Sequence, residues 1–141
     1  MQMPDVNVLV YAHREESPDH ERYAAWLIDL ATGPEPFGLS ELVIHGFLRI
    51  VTSRRIFDPP STMKQALTFI ESLLARPICK LIRPGPRHWG IFRELCETAN
   101  LRGPIVSDGV HAALAIESGC QWVTADTDFA RFAPRLRGTH L

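Results

Sequence analysis

The stretch Val6-Asn7-Val8-Leu9-Val10-Tyr11-Ala12, with Asp5 in front of it, decides how the rest of the chain is read. Its β-branched and aromatic residues crowd a short span, which predicts a buried strand, central in a parallel sheet. On a strand Asp5 and Asn7 share a face, because side chains alternate with a period of two. An acid that opens an apolar buried strand is costly unless a partner compensates its charge. Asp5 is accordingly the acid least easily explained as ordinary surface.

Downstream, Ser17-Pro18-Asp19 offers a cap and a proline for a first helical turn, predicting a helix to about residue 31 that Gly33-Pro34 ends. Phe37-Gly38-Leu39 reads as a short strand, after which Ser40 caps a helix with Glu41 in its first turn. Pro59-Pro60-Ser61 separates it from a helix over residues 62–75, whose Met63, Leu67, Ile70, Leu73 and Leu74 read by default as core, with a dimer or partner groove as the alternative. Residues 78–82 form a further strand, and another helix covers about residues 87–100 before Gly103-Pro104. Ser107 is read as the cap of a helix over residues 108–118, stopped by Gly119. Gln121-Trp122-Val123-Thr124 is the next strand, followed by the acidic turn Ala125-Asp126-Thr127-Asp128 and an edge strand near residues 139–141. Strands alternating with helices predict one α/β sandwich domain over residues 1–141 with a mainly parallel sheet. In such sheets sites form beyond the carboxyl ends of the strands.

The bulk properties narrow the class. An apolar share of 45% and a charged share of 22% are those of a globular domain. No apolar run approaches the length of a transmembrane helix, and no signal peptide is read, so a cytoplasmic protein without membrane contact is expected. Cys79, Cys96 and Cys120 are odd in number and lack a C-x-x-C pair, which argues against disulfides and structural zinc and for small buried hydrophobes.

Five acids remain to be explained. Asp5 stands at a strand edge, Glu41 and Asp108 each follow a serine at a helix start, and Asp126 and Asp128 follow a strand's carboxyl end. Taken singly, an acid in a first helical turn is favoured by the helix dipole, and an acidic turn is simply solvated. Taken together, converging carboxylates repel one another and stay charged only around a cation. Oxygen donors without cysteine or a histidine pair suit Mg²⁺ or Mn²⁺. Phosphodiester hydrolysis is the chemistry such a set serves best.

At these residues the chain resembles a known family. Asp5-Val6-Asn7-Val8-Leu9-Val10-Tyr11-Ala12 resembles the opening D-x-N motif of PIN-domain toxins, and Ser40-Glu41-Leu42-Val43 through Thr52 resembles their second motif. Ser107-Asp108-Gly109-Val110-His111-Ala112-Ala113-Leu114-Ala115 is similar to the third, and Thr124-Ala125-Asp126-Thr127-Asp128-Phe129 to the fourth, T-x-D-x-D-F. The best resemblance is to the VapC branch, the toxin half of VapBC toxin–antitoxin pairs in the style common in mycobacteria. It implies a three-layer α/β/α PIN-like sandwich and an endoribonuclease dependent on Mg²⁺ or Mn²⁺. It also implies that the enzyme cuts structured RNA (transfer or ribosomal), is inhibited by a cognate VapB antitoxin and is assembled as a homodimer. By the same resemblance Asp5, Glu41, Asp108 and Asp126 are catalytic and metal-holding, and Asp128 either assists or caps the next helix. Asn7 and Thr124 match polar positions that hold the acids in place.

Other features are read more plainly. His111, three residues beyond Asp108, is read as a satisfied helix histidine ahead of a substrate contact, and Trp26, Trp89 and Trp122 first as packing residues, with a partner surface as the alternative. Arg54 and Arg55 suit RNA phosphate contacts and a solvated face equally well; Arg49 and the remaining arginines lean to the solvated reading. An aspartate-nucleophile phosphatase needs an acid where Asn7 stands, and a receiver domain needs an acid on its third strand and a lysine on its fifth, neither of which is found there. A non-catalytic PIN-like module that only binds RNA or protein would be marked by loss of an acid, and all are present.

Overall fold

The computed structural model describes residues 1–141. Its first strand is not the apolar stretch but the three residues before Asp5: β1 is Gln2–Pro4, and residues 6–12 belong to helix α1, Val6–His13. The stretch is apolar on nearly every side because α1 is enclosed, packing on helices α2 (His20–Thr32) and α3 (Glu41–Val51) and on strand β4 (Gln121–Thr124). A helix buried all round loses the periodicity that separates helix from strand. Asp5 is then not a strand residue but the N-cap of α1, its side chain accepting from the Val6 amide.

The remaining strands are β2 (Phe37–Ser40), β3 (Cys79–Ile82) and β5 (Gly138–His140), and the remaining helices α4 (Met63–Leu74), α5 (His88–Thr98) and α6 (Ile105–Ser118). The five strands form one wholly parallel sheet in the order β3-β2-β1-β4-β5. The central place expected for the first strand thus falls to β1. From β1 the chain steps one way, through β2 to β3, then returns past them to β4 and β5. Right-handed crossovers therefore put α1–α4 on one face and α5–α6 on the other, giving three layers. Helix pairs α1–α2, α1–α3 and α3–α4 pack together, as do α5 and α6.

Local chemistry sets the helix starts. Ser40 accepts from the Leu42 and Val43 amides at 3.1 and 3.3 Å to cap α3, a contact whose loss costs about 1 kcal/mol. Thr62 and Gln65 form a reciprocal capping box on α4. Two expected caps are displaced. Ser17 lies in the turn before α2, which starts at His20 after Asp19 in the left-handed region (φ 55°). Ser107 lies inside α6, because the chain turns helical directly after Gly103-Pro104, three residues earlier than the serine suggested.

The core is continuous across both layers of helices, with Met3, Leu9, Phe37, Val43, Phe47 and Trp122 fully buried. Three packing expectations are met only in part, although Trp122 is fully buried. Trp89 is 68% exposed, only Ile70 and Leu73 of the α4 apolar set are buried, and among the free cysteines only Cys120 is buried. No helix is long and apolar enough to cross a membrane.

Candidate active site

The chain reverses its direction of travel across the sheet between β1 and β4, and the carboxyl ends of those two strands open onto a crevice. Such a switch point is where parallel α/β sheets place ligands. Here a cavity of about 580 Å³ is lined by Asp5, Asn7, Asp108 and Asp126 together with apolar side chains from α1, α3 and residues 56–57.

Asp5 is held from both sides. Its Oδ1 accepts from the Val6 amide at 2.6 Å, and its Oδ2 accepts from the Thr124 hydroxyl at 2.6 Å. Thr124 Oγ1 in turn accepts from the Asp126 amide at 2.9 Å, so one hydroxyl ties the acid of β1 to the turn after β4. Asn7, in the first turn of α1, accepts the Ala125 amide on its Oδ1 at 3.3 Å and fixes the same turn. Asp126 Oδ1 accepts from the Asp128 amide at 2.8 Å, starting the 3₁₀ turn Thr127–Phe132.

Electrostatics record the crowding. Burial, with Asp5 only 5% exposed, pushes its carboxyl up to about 6; the Thr124 and Val6 hydrogen bonds oppose this, and the charges of Asp108 and Asp126 add to it. Asp108, half-buried in the first turn of α6, is also raised, by burial first and then by Asp126, with Arg131 pulling the other way. Three acids from three elements thus share one electrostatic neighbourhood.

Glu41 and Asp128 are placed differently. Ser40 of β2 pairs in register with Ile82 of β3, so Glu41 and Arg83, the residues directly after each strand, stand side by side. Their side chains form an ion pair, and Glu41 is absent from the cavity lining. Asp128 is exposed and faces Arg131 at 3.7 Å, also off the lining. Arg54 and Arg55 are exposed in the turn after α3.

Other lining residues were read as surface or packing. Arg49 lines the cavity rim, giving it one positive charge among the acids. The signal for it is spacing: Leu42, Gly46, Arg49 and Ile50 recur at three- and four-residue intervals on α3, one face of a helix. His111 is not the satisfied helix histidine expected. Its ring stacks on Trp122 at 5.6 Å between centroids, and its buried Nδ1 has no hydrogen-bond partner. Burial lowers its pKa to about 4, so the ring is neutral at pH 7.

In kind, the donors fit a hard divalent cation: they are carboxylate oxygens, and those of Asp5 and Asp108 are raised in pKa by burial and by neighbouring acids, which positive charge would relieve. They do not stand as a closed cage, since no three acidic, histidine or cysteine groups are drawn close enough together to hold an ion as they are.

The comparisons with known proteins point the same way. The PIN domain family profile matches residues 3–134. Ribonuclease VapC43 of Mycobacterium tuberculosis is 44% identical over 136 residues, covering 96% of this chain and 92% of that protein. Ribonuclease VapC25 of the same species is 43% identical over 129 residues, covering 92% and 91%. Among solved structures, VapBC2 from Rickettsia felis, bound to a DNA fragment from its promoter, superposes with a TM-score of 0.71 at 22% identity, covering 99% of this chain and 97% of that one. With the family profile spanning almost the whole chain and curated relatives above 40% identity, this protein belongs to the PIN-domain family, in the branch of the VapC ribonucleases.

Proposed function

We propose that the chain is the toxin of a VapBC-type pair, an endoribonuclease that hydrolyses phosphodiester bonds of structured RNA (transfer or ribosomal) with Mg²⁺ or Mn²⁺. The observation that carries this is the convergence of Asp5, Asp108 and Asp126 on one cavity, with two of the three carboxyls raised in pKa. The names of the relatives, VapC ribonucleases, support the activity and its toxin–antitoxin setting. The same kinship supports a VapB antitoxin as inhibitor and a homodimer as the working assembly.

Asp5, Asp108 and Asp126 would hold the ion, with Glu41 and Asp128 as further donors. What such an ion contributes when bound is positive charge beside the phosphate and a more acidic water. The chain's own part is orientation. Thr124 and the Val6 amide fix the rotamer of Asp5, while Asn7 and Thr124 fix the turn that carries Asp126. Glu41 joins the set only by giving up Arg83, an exposed pair of the kind worth about 0–1 kcal/mol. Arg49 at the rim, with Arg54 and Arg55 beyond it, offers charge to phosphates flanking the cut.

The test is to incubate purified protein with total RNA, with Mg²⁺, with Mn²⁺ and with EDTA, and to map new 5′ ends. Discrete cuts that EDTA silences and either ion restores are the expected result. Cuts that persist in chelator, or no cuts in any condition, would overturn the reading.

A further inference from the structure

The cavity that holds the acids has a largely apolar remainder to its lining which metal chemistry does not use. That part of the lining includes Tyr11, Ile50, Ile56 and Phe57. Ile56 is 54% exposed, a large apolar side chain left at the rim. The wall is held from behind. Arg14, just past the end of α1 and only 12% exposed, donates to the Ser61 hydroxyl at 3.0 Å and to the Pro59 carbonyl at 2.8 Å. Its guanidinium covers the Phe57 ring at 4.4 Å from the centroid, and it pairs with Glu16. One arginine therefore holds the C-terminal side of the short segment that carries Ile56 and Phe57, at Phe57, Pro59 and Ser61.

We propose that this apolar lining receives an unpaired nucleobase next to the bond that is cut, with Arg14 as the positioning residue for the wall; the inference rests on the ribonuclease reading. Charge decides which part of a nucleotide enters. Phosphates are drawn to the acids through a cation and to Arg49 at the rim, and gain nothing from the apolar side chains, whereas a base has a neutral, flat face that stacks on aromatic side chains. A base in a duplex is covered by its neighbours, so a site of this kind selects loops and single strands. The cavity volume, about 580 Å³, lies in the usual range for a small organic ligand.

The experiment takes a site mapped in total RNA and makes it as a short synthetic RNA, as the same strand annealed to its complement, and as a strand lacking the base at that position. Wild type, Ile56→Glu and Arg14→Gln are compared at saturating Mg²⁺, with Arg14→Lys as the conservative control and thermal melts to check folding. Ile56→Glu lies at an exposed position and keeps the test usable if Arg14→Gln misfolds. Expected are a KM raised about tenfold in both variants with kcat within about twofold, partial recovery in Arg14→Lys, and poor cutting of the duplex by wild type. On the strand without the base, wild type should fall to the level of the variants. The inference is overturned if wild type cuts the baseless strand or the duplex as well as the intact single strand, or if the variants match wild type. The first of these outcomes would leave the wall to an apolar side chain of a protein partner. Absence of any cleavage by wild type would instead sink the ribonuclease reading and this inference with it.

Discussion

The Thr124 hydroxyl donates to Asp5 Oδ2 at 2.6 Å and accepts from the Asp126 amide at 2.9 Å, so a single oxygen joins two of the three acids in the cavity. That hydrogen bond lowers the Asp5 pKa against the burial that raises it. Thr124→Val keeps the shape and removes both contacts. Asp5 should then hold its proton above the present value of about 6, and protons compete with metal for the same oxygens. Cleavage at pH 7 is expected to fall by about 10–100-fold, with the acid limb of the pH profile moved to higher pH. Thr124→Ser should keep most of the activity. A Thr124→Val profile that falls in height without moving along the pH axis would contradict this account.

Asp5 also links activity to stability. Its pKa is raised from 3.8 to about 6 on folding, so the folded protein holds this proton more tightly than the unfolded chain. The metal-free protein therefore loses stability as pH rises from about 4 through about 6, and stays lowered above that, by about 3 kcal/mol from this group alone. Asn at position 5 still caps a helix and carries no charge. Asp5→Asn should abolish cleavage yet melt several degrees above wild type in EDTA at pH 8, with the gap closing at pH 4. A variant that melts below wild type at pH 8 would show that the buried charge carries no such penalty.

Gly46 marks the close approach of α3 to α1. A Cβ there would stand 2.9 Å from Val6 Cγ2, a stiff β-branched side chain directly after Asp5. Gly46→Ala should destabilise by about 1–3 kcal/mol through overpacking, against the gain in helix propensity. Because Gly46 also lines the cavity, cleavage should weaken as well. Equal or higher stability in urea melts would mean that α1 and α3 separate freely, and that Val6 does not fix the position of Asp5.

Much of the site was legible because the acids occur where elements begin and end. Asp5 is a boundary residue whether residues 6–12 form a strand or a helix, so the error in that element left its place intact. The error itself came from α1 being enclosed on all sides, which erases the amphipathic period. Asn7 was read as a face-mate of Asp5; as the second residue of a helix it reaches instead to the Ala125 amide. The Glu41–Arg83 pair was hidden because it depends on the Ser40–Ile82 register, a long-range pairing with no local signature. Asp126 and Asp128 could not be separated by spacing alone; the 3₁₀ turn sets Asp126 on the cavity lining and Asp128 against Arg131.

The claim beneath all of these is that Asp5, Asp108 and Asp126 act on one divalent ion. Titrating the metal-free protein with Mn²⁺ at pH 7.5, following free ion by electron paramagnetic resonance, reads it directly. Wild type should take up Mn²⁺, and Asp5→Asn, Asp108→Asn and Asp126→Asn should each weaken uptake by at least about tenfold, with the fold unchanged by circular dichroism. Uptake that is the same in wild type and in the triple variant would contradict the account.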